Sequence, residues 1–207
     1  VAIAVNARMQ NAGQSCIAAK RFLVHENIVE EFVAKLKVAI QNLKTGNPFD
    51  KEMQIGSLAR VDLAEELEAQ VQKSIQMGAD LIVGGTRKEA FYEPTILANV
   101  TTEMPVFNEE TFGPVASIIT FKTLEEAIEL SNQSEFGLGV SIFTQDIDFI
   151  KTKISAFNEG AVFINEMVKS DPRLPFGGIK KSGYGRELAE DGIKEFVNIK
   201  TIVINTF

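Results

Sequence analysis

Short apolar runs alternate along the chain with longer stretches in which apolar residues recur every three or four positions. The runs predict strands at residues 22–24, 81–83, 115–121, 139–143, 161–165 and 199–204. The amphipathic stretches predict helices that begin near residues 27, 62 and 123, and two further helices at 146–157 and 187–196. Because strands separated by helices favour a parallel sheet covered on its faces, we predict a three-layer α/β domain with a mostly parallel sheet.

Polar residues mark where the first three of these helices begin. Asn27 with Glu30 and Thr123 with Glu126 have the spacing of a capping box, in which each side chain accepts a backbone N–H from the other end of the turn. Asp62 is placed to begin the second helix, and Gly78 to end it.

Composition narrows the class of partner. With 207 residues, 45% of them hydrophobic, the chain can bury a full core. A formal charge of −7 and the lack of a long basic run argue against nucleic acid or an anionic membrane, so we expect a small-molecule partner. No apolar run approaches the roughly 18 residues of a membrane span, and a single cysteine forms no internal disulfide, so we expect a cytoplasmic protein. The chain starts without methionine, and we expect it to be a piece of a longer protein.

The single cysteine, Cys16, ends the polar turn 11–16, which contains Gly13. A free cysteine usually packs as a small buried hydrophobe, and a polar turn offers little reason for such packing. Residues 17–19 can form a short helix, and the positive end of its dipole would favour the thiolate over the thiol. Cys16 is therefore a candidate nucleophile.

Familiar motifs of other enzyme classes are absent. The sequence has no GxGxxG after a strand, no phosphate loop and no CxxC or HExxH set, so we expect no metal site. The lone His25 follows a predicted strand, and a surface position is the simpler interpretation. The residues around Cys16 match no local cysteine-protease signature.

Four further segments are unusually polar or glycine-rich for their apolar surroundings. Each alone is compatible with ordinary turn and capping chemistry, but together they invite a functional interpretation. They are EETFGP at 109–114, NE at 165–166, PFGG at 175–178 and KKSGYGRE at 180–187.

With the cysteine turn, these segments resemble the catalytic domain of the aldehyde dehydrogenase superfamily nearly from end to end. The motif NxGQxC carries the nucleophile of that family at Cys16, and EExFGP carries a cofactor-ribose contact at Glu110 and a nicotinamide-side aromatic residue at Phe112. PFGG and SGxGRE complete the pattern in order. Residues 167–178 and the turn 11–16 look most like bacterial succinate-semialdehyde dehydrogenases.

The resemblance implies NAD- or NADP-dependent oxidation of an aldehyde, through a thiohemiacetal and a thioester on Cys16. Asn165 and Phe176 would wall the aldehyde pocket. The carboxylate of succinate semialdehyde would be bound by Ser170, Arg173 or Lys169, with arginine best suited to a bidentate contact. A homo-oligomer is implied, with residues 199–207 as its carboxy-terminal oligomerisation strand.

The same resemblance implies that part of the machinery lies outside this chain. In the family, the cofactor-binding domain, an oxyanion asparagine and a general-base glutamate precede the nucleophile, and residues 1–15 here contain no Asp or Glu. We therefore interpret residues 1–207 as a catalytic domain that is inactive alone. Two alternatives stay open: a fragment with only a structural or oligomerising role, and a cysteine-dependent esterase that needs no nucleotide.

Overall fold

The computed structural model describes all 207 residues. The longer helices are amphipathic and the longest strand is almost wholly apolar, as the sequence pattern requires. The helices are α1 (Ala2–Met9), α2 (Val29–Gln41), α3 (Val61–Gln76), α4 (Pro105–Asn108), α5 (Leu124–Asn132), α6 (Ile147–Lys151) and α7 (Ala189–Lys194). The strands are β1 (Arg21–His25), β2 (Asp80–Val83), β3 (Arg87–Lys88), β4 (Phe91–Tyr92), β5 (Thr95–Ala98), β6 (Val115–Phe121), β7 (Phe136–Gly137), β8 (Val140–Ile142), β9 (Val162–Ile164) and β10 (Ile179–Lys180).

The main sheet has the strand order β1-β6-β5-β2. The pairs β1 with β6 and β6 with β5 are parallel, whereas β2 joins the edge antiparallel. The first five residues of β6 are buried, as expected for a central strand covered on both faces. The predicted α/β class with a mostly parallel sheet is confirmed.

The main core lies between this sheet and helices α2 and α3. Helix α3 contributes buried residues spaced three or four apart, at Ala64, Leu67 and Val71, so one helical stripe faces the sheet. A second parallel pair, β8 with β9, forms a separate small sheet. None of the helices combines the length and the apolar character that a membrane crossing requires.

Several predicted elements are shorter than expected or absent. Residues 17–19 form a turn rather than a helix, because the Ala19 N–H donates to the Ala7 carbonyl instead of continuing a helical ladder. Residues 146–157 divide into α6 and a short 3-10 turn, and α7 covers less than 187–196. Residues 199–204 form no strand, since no other strand of this chain pairs with them.

The three predicted helix starts behave differently. Thr123 accepts the Glu126 N–H, so the predicted cap at Thr123 forms, while the Glu126 carboxylate accepts the N–H of Lys122, one residue before the cap. Helix α2 begins after Ile28 without a side-chain cap, and the predicted box at Asn27 is wrong. Asp62 instead lies within the first turn of α3, where its carboxylate pairs with Arg60.

Candidate active site

The strand register explains why two distant segments of the sequence meet. Arg21 at the start of β1 lies opposite Ser117 in β6, and the two strands are parallel. The segments that lead into them, 16–20 and 110–114, therefore run side by side. This places the turn of Cys16 next to Glu110 and Phe112.

The Cys16 turn has an unusual backbone. Asn11, Ala12 and Gly13 all have positive φ, of 50°, 53° and 76°. The Asn11 and Gln14 side chains each bond the other residue's carbonyl, and the Gln14 side chain also accepts the Ala59 N–H at 2.8 Å. The chain then emerges with the Cys16 thiol exposed and free. The turn is thus fixed by its own amides rather than by a following helix.

Gly13 is required by space as well as by φ. A Cβ atom there would overlap the Gly113 carbonyl and approach the Arg8 guanidinium to 2.6 Å. Gly78 also has a positive φ, of 109°, but a Cβ atom there would meet nothing within 4 Å. Comparing alanine substitutions at the two glycines therefore separates the free-energy cost of steric overlap from that of backbone strain.

We expect Gly13→Ala to destabilise the chain by at least about 2 kcal/mol more than Gly78→Ala, because only Gly13 adds steric overlap to a left-handed backbone. Chemical denaturation of both variants measures the difference. Equal losses would show that the turn can shift to accommodate a methyl group without cost.

Arg8 lies beneath the turn and is only 1% exposed. Its guanidinium donates to the carbonyls of Ala19 at 3.0 Å, Gly13 at 2.6 Å and Thr111 at 3.5 Å. Burial lowers the pKa of Arg8 to about 10, and the charge of Glu110 offsets part of this shift. Arg8 thus joins both ends of the Cys16 turn to the segment that carries Glu110.

Lys20 also contacts the Cys16 turn. Its ammonium lies 3.2 Å from the Glu110 carboxylate and 5.8 Å from the centre of the Phe112 ring. It also donates to the carbonyls of Ser15, Cys16 and Ala18. Burial and the charge of Arg8 lower the pKa of Lys20, while Glu110 opposes this. Neither Arg8 nor Lys20 is among the predicted site residues.

A large open cleft, about 1500 Å³ in volume, adjoins the turn. Cys16, Glu110 and Phe176 line it, together with residues of β1 and β8. Phe112, 37% exposed, does not line the cleft and lies against Lys20 instead. The cleft gives a small molecule access to the thiol and to the carboxylate.

Asn165 takes a structural position. Its side chain accepts the Thr144 N–H and donates to the Thr144 carbonyl, both at 2.9 Å, and its φ is 56°. It does not line the cleft that contains Cys16. In this conformation its amide fixes the loop between β8 and α6 rather than walling the cleft.

The predicted carboxylate-binding residues lie on one exposed loop. Arg173 is 84% exposed and pairs with Asp171 through two contacts, at 2.9 Å and 2.6 Å. This pairing holds the pKa of Asp171 well below its usual range and raises that of Arg173. Lys169 pairs with Glu166 at 2.9 Å, whereas Ser170 is exposed and makes no hydrogen bond through its side chain.

This loop borders a second, smaller cavity of about 420 Å³. Lys169 and Asp171 line it, and Phe176 is the single residue that lines both this cavity and the cleft. The structure therefore brings Cys16, Glu110 and Phe176 to one cleft. The loop of Arg173 borders the other cavity, and Phe176 lines both.

Comparison with known proteins decides the family. The sequence matches the model of the aldehyde dehydrogenase family over residues 1–202. The chain belongs to the aldehyde dehydrogenase family. This confirms the family membership that the ordered motifs predict.

Two of the most similar relatives are named as succinate-semialdehyde dehydrogenases. The chain is 48% identical over 205 residues to the succinate semialdehyde dehydrogenase Sad of Escherichia coli, whose name specifies NAD(P)+, covering 98% of this chain and 44% of that one. It is 49% identical to a probable succinate-semialdehyde dehydrogenase of Synechocystis, whose name specifies NADP+, covering 98% and 45%. The predicted likeness to this group of aldehyde dehydrogenases is confirmed. The chain spans less than half the length of these relatives.

Solved structures agree with the fold. The succinate-semialdehyde dehydrogenase of Burkholderia pseudomallei superposes with a TM-score of 0.92 at 36% identity, covering 95% of this chain and 42% of that one. The glyceraldehyde-3-phosphate dehydrogenase GapN of Methanocaldococcus jannaschii, solved with NADP, gives 0.94 at 37% identity, covering 99% and 45%. The chain thus has the fold of part of longer aldehyde dehydrogenases.

Proposed function

We propose that this chain is the catalytic domain of an NAD(P)-dependent aldehyde dehydrogenase that oxidises succinate semialdehyde to succinate. One observation supports the proposal above all: the Lys20 ammonium contacts both the Cys16 turn and Glu110. It lies 3.4 Å from the Cys16 carbonyl and 3.2 Å from the Glu110 carboxylate. The names of the relatives at 48% and 49% identity support the substrate.

Cys16 acts as the nucleophile in this proposal. Its thiolate attacks the aldehyde carbon and forms a thiohemiacetal on Sγ. The Cys16 N–H makes no hydrogen bond within the chain, so it is free to donate to the developing oxyanion. The exposed thiol at the cleft leaves room for an aldehyde to approach.

Glu110 is suited to hold the cofactor. Its carboxylate is 40% exposed and lines the cleft, and a carboxylate can accept hydrogen bonds from the hydroxyls of a nicotinamide ribose. When bound, NAD(P)+ supplies the hydride acceptor. Glu110 would orient the ribose and Phe112 would pack beside the ring. In the family pattern, the glutamate that activates water for thioester hydrolysis and the second oxyanion donor precede the nucleophile.

We also propose that residues 199–207 pair with a second copy as a carboxy-terminal strand. Side chains along this segment are exposed, including Ile199, Ile202, Ile204 and Phe207. Residues 198–207 make no backbone hydrogen bond with the rest of the chain, so their donors and acceptors are free to join the edge of another sheet.

The substrate is tested by comparing succinate semialdehyde with butyraldehyde in a complete protein that carries this chain. If Arg173 binds the substrate carboxylate, Arg173→Ala should raise the KM for succinate semialdehyde about tenfold and leave the KM for butyraldehyde nearly unchanged. Asp171→Asn should lower the KM for succinate semialdehyde, because Asp171 competes for the same guanidinium.

Arg60 provides the matched control for Arg173. It is also exposed and pairs with an aspartate two residues away, Asp62, whereas Asp171 lies two residues before Arg173; Arg60→Ala therefore removes a similar ion pair from another surface. Equal changes in KM for both aldehydes in Arg173→Ala would remove Arg173 from the carboxylate site. Ser170 and Lys169 would then be the remaining candidates.

A further inference from the structure

The ammonium of Lys20 has more acceptors than protons. Four oxygen atoms surround it: the carbonyls of Ser15 and Ala18 at 3.3 Å, the carbonyl of Cys16 at 3.4 Å, and the Glu110 carboxylate at 3.2 Å. An ammonium carries three N–H donors, so the three carbonyls alone can use all of them. One acceptor can therefore leave without stranding a proton.

Glu110 is the acceptor that can leave. The three carbonyls belong to the backbone of the turn, whereas the carboxylate is at the end of a longer side chain that is 40% exposed. Lys20 itself is only 19% exposed, so it cannot follow the carboxylate into solvent. Arg8 makes no hydrogen bond to the Glu110 side chain, and its guanidinium donates to the carbonyls of Gly13, Ala19 and Thr111.

We propose that Lys20 is a positioning residue with a permanent and an exchangeable contact. It holds the Cys16 turn through three carbonyls, and it holds the Glu110 carboxylate only until the hydroxyls of the cofactor ribose replace the ammonium. This role rests on the proposed function of Glu110. It links the arrival of the cofactor to the turn that carries the nucleophile, because both contacts converge on one side chain.

The ion pair is tested first in the chain itself, without any assay of activity. Titration of the Lys20 Cε resonance by NMR should give a pKa below the ordinary value for lysine, since burial lowers it. Glu110→Gln should lower the Lys20 pKa further, because Glu110 raises it. An identical Lys20 titration in Glu110→Gln would overturn the proposal.

The exchange is tested in a complete protein that carries this chain. Lys20→Met should tighten NAD(P)+ binding about two- to fivefold, because the Glu110 carboxylate no longer has to break its ion pair with Lys20 before it binds the ribose. The same variant should lower kcat about tenfold, because the Cys16 turn loses its tie, and Lys20→Arg should restore part of kcat. Cofactor titration by fluorescence and steady-state kinetics give the two values separately.

Lys35→Met is the matched control, since Lys35 also pairs with a glutamate, Glu31, but on an exposed helix surface. Loss of thermal stability in Lys20→Met with unchanged or weaker cofactor binding would overturn the exchange. Inactivity of the unsubstituted complete protein would contradict the proposed function instead, and the Lys20 titration would still decide whether the ion pair exists.

Discussion

The 207 residues alone should form no measurable NAD(P)H from succinate semialdehyde, while iodoacetamide should still alkylate Cys16. In the family pattern the amide half of the oxyanion hole and the water-activating base precede the nucleophile. One oxyanion donor is worth about 10²–10³ in rate, and a positioned base about 10²–10⁴. The expected loss relative to a complete enzyme is therefore at least about 10⁴-fold.

Mass spectrometry after alkylation and absorbance at the NAD(P)H band measure the two outcomes on one sample. Cys16→Ser is the control for alkylation. Steady NAD(P)H formation by the chain alone, abolished by Cys16→Ser, would show that the base and the cofactor site lie within these residues. Ester cleavage that needs Cys16 but no nucleotide would favour the esterase alternative.

Arg8→Met should lower the free energy of unfolding by about 3–5 kcal/mol. The substitution leaves the carbonyls of Gly13, Ala19 and Thr111 without their buried donor, and each unsatisfied buried group costs about 1–3 kcal/mol. Denaturant unfolding followed by circular dichroism gives the change. Because these carbonyls flank the Cys16 turn, alkylation of Cys16 should also change in rate.

Arg60→Met is the control for loss of an arginine at the surface, since Arg60 is exposed and pairs with Asp62. Exposed ion pairs contribute little, so this variant should unfold at nearly the same denaturant concentration as the unsubstituted chain. A loss no larger in Arg8→Met than in Arg60→Met would mean that water or a rearranged backbone satisfies the three carbonyls.

The sequence predicts the fold correctly where the local preference of a segment agrees with the contacts that it makes in the folded chain. The run 115–121 is apolar and bounded by turn residues, and β6 has those bounds. Thr123 and Glu126 form their cap because both partners belong to one turn of chain. Residues 17–19 show the opposite case. A three-residue helix makes too few hydrogen bonds to offset the free-energy cost of helix nucleation, and the Ala19 N–H donates to the Ala7 carbonyl instead.

The sequence predicts the site residues only where they belong to a recognisable motif. Cys16 and Glu110 stand in recognisable motifs, but single charges such as Arg8 and Lys20 look like ordinary surface residues in a sequence. Their importance arises from the register of β1 and β6, which brings residues about a hundred positions apart into contact. A weak signal exists for Arg8, because it is the only charged residue among the first fifteen.

The carboxy-terminal segment also has a thermodynamic consequence. Fixing the backbone of nine residues, 199–207, costs roughly 9–18 kcal/mol of conformational entropy. At about 25 cal/mol per Å², burial of roughly 400–700 Å² of apolar surface would be needed to offset this cost. A sheet edge that captures the segment must therefore bring a broad apolar face with it.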